Sequence, residues 1–235
     1  MKTKFKYYKY AHIYLTIGLV VVLIGFSKTY FNNLGEFSFS YHLHGISATL
    51  WMILLIIQPY LFQKGKLKTH RLLGLGSLVL VPLIIIGGII MMRAMIQGQE
   101  NYPPNIVYTL AFIDVCTLIG FAILYILALY FRKNLMLHSR FMVSTIFGPL
   151  LPALTRLYLI VLGITSNFTD ALTYSYFTVE LVLLIIIWKE RKAKEIKLTY
   201  VPFLIFIIVQ HIIIYYADNW IWWKTLMNSF ANYSG

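Results

Sequence analysis

Residues 72–92 read LLGLGSLVLVPLIIIGGIIMM, an unbroken stretch without a charged side chain. A bilayer core about 30 Å thick is crossed by about 20 apolar residues rising roughly 1.5 Å each, so this stretch predicts a transmembrane helix. Outward from it, comparable runs stand near 10–29, 41–62, 106–131, 141–163, 171–188 and 199–217. Seven such runs in 235 residues leave only short connections, and 60% of the chain is hydrophobic against 12% charged. The charged share is half of the roughly 25% usual in soluble domains, and the mean hydropathy is +0.75. These values exclude a soluble globular protein, a disordered chain and a disulfide-stapled secreted domain. The expected fold is all-α: a polytopic helix bundle of about seven spans, forming one integral membrane domain over residues 1–235.

The net charge of +12 is not spread evenly. Lys2, Lys4, Lys6 and Lys9 precede the first run, and Lys64, Lys66, Lys68 and Arg71 follow the second. Arg132, Lys133 and Arg140 follow the fourth, and Lys189, Arg191, Lys192, Lys194 and Lys197 the sixth. Sixteen of the 20 Lys and Arg therefore fall on alternate connections, against Lys28, Arg93 and Lys224 on the others, with Arg156 inside a run. That is the positive-inside bias, which predicts a cytoplasmic N-terminus and an external C-terminus. The basic charge then faces anionic lipid rather than nucleic acid. Phe26-Ser27-Lys28-Thr29-Tyr30-Phe31 carries no small-residue cleavage pattern, so the first run reads as a retained signal anchor. Residues 217–235, with Trp220, Trp222, Trp223 and Tyr233, read as an interfacial aromatic segment on the outer side. Richness in Ile, Lys, Tyr and Asn points to an AT-rich bacterial genome, and hence to a bacterial cytoplasmic membrane.

Ionisable side chains inside hydrocarbon are costly and tend to mark function. Asp114 in the fourth run and Arg156 in the fifth fall at a similar depth, roughly 10–12 Å below the outer surface, and predict a pair between antiparallel neighbours. His211 lies at a similar depth, Glu180 near mid-membrane, and His42 and His44 at the outer start of the second run. Pro149 and Pro152 remove helix donors just before Arg156 and predict a kinked or broken span there. A broken helix beside an intramembrane charge recurs in mid-membrane binding sites, although such a pair also serves to fix packing. His44, Asp114, Arg156, Glu180 and His211 are therefore the candidate site for a small ligand, ion or proton. Gly74 and Gly88 share a face of the third run, with Gly76, Ser77 and Gly87 nearby, and predict close helix packing.

A second polar layer, at the cytoplasmic edge, holds Gln58, His70-Arg71 and His138-Ser139-Arg140, and headgroup contacts explain it equally well. His42-Leu43-His44-Gly45, Gln58, His70-Arg71-Leu72-Leu73-Gly74, and His138-Ser139-Arg140-Phe141-Met142 with Ala153 and Arg156 resemble a family of uncharacterised bacterial multi-pass membrane proteins. That family shows an early His, a Gln, an H-R-x-x-G element, then an H-x-x-W-M element followed by Arg. The likeness covers about residues 40–160 and departs at Phe141, usually Trp, and at Ser144, often Arg. It implies that His70, Arg71, His138 and Arg156 are special, and brings no settled activity.

Histidines on neighbouring helices also suit axial ligation of haem b, with His70 and His138 as one pair and His44 and His211 as another. That makes an electron-transfer protein or oxidoreductase subunit the alternative to ligand, ion or proton handling. The one cysteine, Cys116, excludes a disulfide framework and Cys-based zinc or iron–sulfur sites within one chain. No dedicated metal set, phosphate loop, nucleotide fingerprint or nucleophile element stands out, so enzyme and non-enzyme remain open at the level of sequence. The bilayer is the expected partner, a protein partner being neither indicated nor excluded.

Overall fold

The computed structural model describes residues 10–233, so Lys2, Lys4, Lys6 and Lys9 and the final Gly235 lie outside the described residues. Nine α-helices follow one another among these residues: α1 (Ala11–Phe26), α2 (Phe39–Gln63), α3 (Leu67–Gln97), α4 (Ile106–Tyr130), α5 (Leu135–Ser144), α6 (Phe147–Arg156), α7 (Phe168–Glu190), α8 (Tyr200–Ile213) and α9 (Ile221–Asn232). Six segments are long and apolar enough to cross a membrane: α2, α3, α4, the α5–α6 segment Leu135–Val161, α7 and Lys194–Ile213. Helix α1 is apolar but shorter, 16 residues or about 24 Å. It packs one face against α2 and α6 and leaves Tyr14, Ile17 and Ile24 exposed on the other.

The exterior is apolar. Leu72 is 69% exposed, Val79 66%, Ile126 62% and Leu181 58%, which in water would be an aggregating surface and in lipid is a solvated one. Inside, Trp51, Met52, Phe121, Tyr125, Phe141, Leu151, Tyr176 and Tyr200 form one continuous core. Polar bonds cross-link it: the Trp51 indole donates to Thr145 Oγ1 at 3.0 Å, and the Ser77 and Tyr125 hydroxyls meet at 2.7 Å.

Helix ends follow from capping. Asn134 accepts from the Met136 and Leu137 amides and starts α5; Asn167 accepts from those of Thr169 and Asp170 and starts α7. The segment Leu135–Val161 is broken ahead of Pro149: α5 ends at Ser144, α6 begins at Phe147, and a π-helical turn, Leu157–Val161, follows Arg156. The glycines of α3 admit close neighbours from α2. Gly74 faces the Gln58 amide, and a Cβ on Gly87 would stand 3.1 Å from the His44 backbone. Helix α9 lies across one end, anchored by Trp223 Nε1 donating to the Tyr108 carbonyl and by Arg93 Nε and Gln97 Nε2 donating to the Ala231 carbonyl.

Candidate functional site

The connections 27–38 and 98–105 meet at the end of the bundle that carries α9. Between them opens a cleft of about 730 Å³ lined by Glu36, Phe37, Ser38, Tyr41, Ala94, Gly98, Asn101 and Tyr102. Tyr41 and Tyr102 are also within electrostatic reach of Arg156, whose strongest electrostatic partner is Asp114. The cleft tyrosines thus lie between an open mouth and two buried ionisable side chains, Arg156 and Asp114, on which they act electrostatically.

Arg156 closes α6 and is held from two sides. Its Nη1 donates to the Pro152 carbonyl at 3.0 Å, and its guanidinium carbon lies 4.6 Å from the centre of the Phe26 ring at the end of α1. Asp114 comes from α4, one turn beyond Ala111 in the packed face. Direct ion pairs among the described residues join Arg140 to Glu190 and His211 to Glu180; none joins Asp114 to Arg156. The two charges act on each other across a gap, with the guanidinium already engaged by Pro152 and Phe26.

His211 and Glu180 are brought together. Nδ1 of His211 meets Glu180 Oε1 at 2.8 Å, Nε2 meets the Tyr215 hydroxyl at 3.2 Å, and the ring stacks on Tyr176 at 4.6 Å between centroids. Tyr176 is in turn within electrostatic reach of Cys116, Glu180, Tyr215 and Asp114. Its hydroxyl is buried without a hydrogen-bond partner. Deeper still, Thr117, Ser144, Thr145, Gly148 and Gln210 border a cavity of about 20 Å³, room for one water molecule.

His44 takes another course: its Nδ1 bonds the Ile84 carbonyl at 3.2 Å and its ring lies against Gly88 of α3. His70 Nδ1 bonds the Gln58 carbonyl at 3.3 Å, while Gln58 Nε2 donates to the His70 carbonyl at 3.1 Å. His138 Nδ1 bonds the Ala128 carbonyl at 2.8 Å. A carbonyl only accepts, so each of these three rings carries a hydrogen on Nδ1, and Nε2 is the nitrogen that a neutral ring would offer as a lone pair. His70 and His138 are also within electrostatic reach of each other. Both nitrogens of His211 are occupied, so it offers no free lone pair to an iron and does not complete an outer haem pair with His44.

Two features escaped sequence reasoning. Tyr41 and Tyr102 stand outside the apolar runs or at their margin and look like interfacial aromatics. Arg140 looks like one more cytoplasmic charge, yet it is fully buried, with Nη2 2.7 Å and Nε 2.9 Å from Glu190 Oε2. The available signal was Glu190 itself, an acid flanked by Lys189, Arg191 and Lys192. Among the described residues no cluster of three or more His, Cys, Asp or Glu is arranged to hold a metal ion. No known protein family, curated protein or solved structure matches the chain.

Proposed function

We propose that this is a seven-span protein of a bacterial cytoplasmic membrane, N-terminus inside and C-terminus outside, with α1 as the additional span. The alternation of basic connections supports that orientation, and kinship with the bacterial multi-pass family carrying H-R-x-x-G and H-x-x-[W/F]-M elements is proposed on the same footing. Its activity, in this reading, is to take a small polar or charged ligand into the outer half of the bundle. The supporting observation is a cleft lined by Tyr41 and Tyr102, both within electrostatic reach of Arg156, whose strongest electrostatic partner is Asp114. A cleft of that volume falls in the range of small-molecule pockets, and an acidic and a basic side chain that do not touch, Asp114 and Arg156, supply recognition for an anion, a cation or a zwitterion. Glu180 and His211 continue the polar strip inward, and His44 serves to hold α2 against α3.

The test is a thermal-shift screen of small carboxylates, amines and zwitterions on the full chain in detergent. A hit is expected whose affinity falls at least about tenfold in Arg156→Gln and in Asp114→Asn, one lost charge contact being worth that much. Hits that bind both variants as tightly as the parent protein overturn the pocket.

A second activity is favoured by one observation, the Nδ1-anchored rings of His70 and His138. Metal-binding histidines characteristically donate their other nitrogen to a carbonyl, which fixes the ring and exposes Nε2. In this alternative haem b is ligated by His70 and His138 at the basic end and carries electrons. Protein purified from haem-replete cells is then expected to show a Soret band that His70→Ala or His138→Ala diminishes. A colourless, folded preparation overturns it.

A further inference from the structure

A string of hydrogen bonds runs from the cleft end into the membrane along α7 and α8, and its hydrogens can be counted. Thr173 Oγ1 lies 2.7 Å from the Thr169 carbonyl and 2.6 Å from the Tyr215 hydroxyl. Tyr215 lies 3.2 Å from His211 Nε2, and His211 Nδ1 lies 2.8 Å from Glu180 Oε1. The Thr169 carbonyl can only accept, so it takes the single hydroxyl hydrogen of Thr173. Thr173 Oγ1 then accepts from Tyr215, which uses that residue's only hydrogen. The Tyr215 oxygen must therefore accept, so His211 Nε2 carries a hydrogen. The last contact, between Nδ1 and Oε1, needs one further proton on either atom.

Every contact is satisfied when His211 and Glu180 together hold one proton more than a neutral imidazole beside a carboxylate. The pair is then electrically neutral overall, as imidazolium with carboxylate or as imidazole with carboxylic acid. Removing that proton leaves the string one hydrogen short and a carboxylate uncompensated about 18 Å along α7, both costly in an apolar interior.

We propose that the His211–Glu180 pair is a proton-binding site, loaded from the cleft end through Thr173 and Tyr215. Exposure falls along that route: Tyr215 is 42% exposed, whereas the side chains of His211 and Glu180 are 9% and 13% exposed. The transfer breaks and forms only bonds to hydrogen. Tyr215 passes its hydroxyl proton to Nε2 and regains one from the surface side, while Nδ1 passes its proton to Glu180 Oε1. The groups facing His211 are Tyr176, Phe177 and Glu180 from α7 and Tyr215 beyond α8, with Asp114 and Cys116 of α4 within electrostatic reach of Tyr176. Tyr176, stacked on His211, is also within electrostatic reach of Asp114, which couples the proton site to that carboxyl group. The proton site deepens the polar-pocket function and rests on it only for that coupling.

The experiment is nitrogen NMR of the full chain, labelled at histidine nitrogen and held in lipid nanodiscs, between about pH 5 and pH 8. His211 Nε2 is expected to be protonated at neutral pH, and Glu180→Gln is expected to abolish uptake of the additional proton. After a pH jump, Tyr215→Phe is expected to slow proton uptake at least about tenfold. A bare Nε2 at neutral pH, or uptake unaffected in Glu180→Gln, overturns the site; an unchanged rate in Tyr215→Phe overturns the route. A ligand screen without hits overturns the pocket and leaves these nitrogen signals as they are, so the two failures are separable.

Discussion

Replacing Arg140 with methionine is expected to destabilise the protein by about 3–5 kcal/mol, the usual consequence of stranding one member of a buried ion pair. Arg140 has no exposed surface, and the Glu190 side chain is 10% exposed. The guanidinium makes both contacts to one carboxylate oxygen and sends Nη1 to the Met136 carbonyl at 3.0 Å. Without it, Glu190 stays at the end of α7 in a packed environment with no direct ion-pair partner among the described residues. The double variant Arg140→Met with Glu190→Met removes both desolvation costs and is expected to recover most of the loss. Thermal unfolding in detergent reads both. A single variant as stable as the parent would show that the pair does not hold α5 to α7.

The apolar runs located the helices but not their ends, for a physical reason. Hydropathy records where hydrocarbon is crossed, and helices extend past that boundary wherever a cap or a partner allows. The run at 72–92 lies inside α3, which spans Leu67–Gln97 because His70 pairs with Gln58 at one end and Arg93 and Gln97 bind α9 at the other. The run at 141–163 begins six residues into α5, whose start is set by Asn134. The break after Ser144 was legible, since Pro149 lacks a donor and its ring clashes with the carbonyl four residues back, that of Thr145.

The candidate site was legible as residues and less so as contacts. Helical depth grouped His211 with Asp114 and Arg156 and set Glu180 deeper, yet the structure pairs His211 with Glu180. Depth says nothing about rotation around the helix axis, which decides whether equal depth becomes contact. That is why Asp114 and Arg156 share a region without touching, and why His44 faces α3's glycines. Partners in connections, such as Tyr102, have no helical period from which to read a direction.

Gly25→Ala is the second large effect expected. A Cβ at Gly25 would collide with the Ala153 carbonyl oxygen and stand 2.9 Å from its carbon and 3.0 Å from its Cα. These are backbone atoms of a fully buried residue in α6, so no side chain can rotate away. Helix α1 must back off from α6, at about 1–3 kcal/mol for overpacking of this kind. Two substitutions on the same principle bracket the result. At Gly18 the new Cβ meets the flexible end of Ile146, so Gly18→Ala is expected to be milder. At Gly76 nothing lies within 4 Å, and Gly76→Ala is expected to stabilise α3 by about 0.5–1 kcal/mol through reduced chain entropy. The displacement at Gly25 also has a functional reach, because its neighbour Phe26 carries the Arg156 guanidinium on its ring. Gly25→Ala is therefore expected to weaken binding of any ligand found for the cleft, while Gly18→Ala and Gly76→Ala leave binding intact. Equal melting temperatures for Gly25→Ala and Gly18→Ala would mean that the α1–α6 contact yields easily and that Phe26 is not a fixed platform for Arg156.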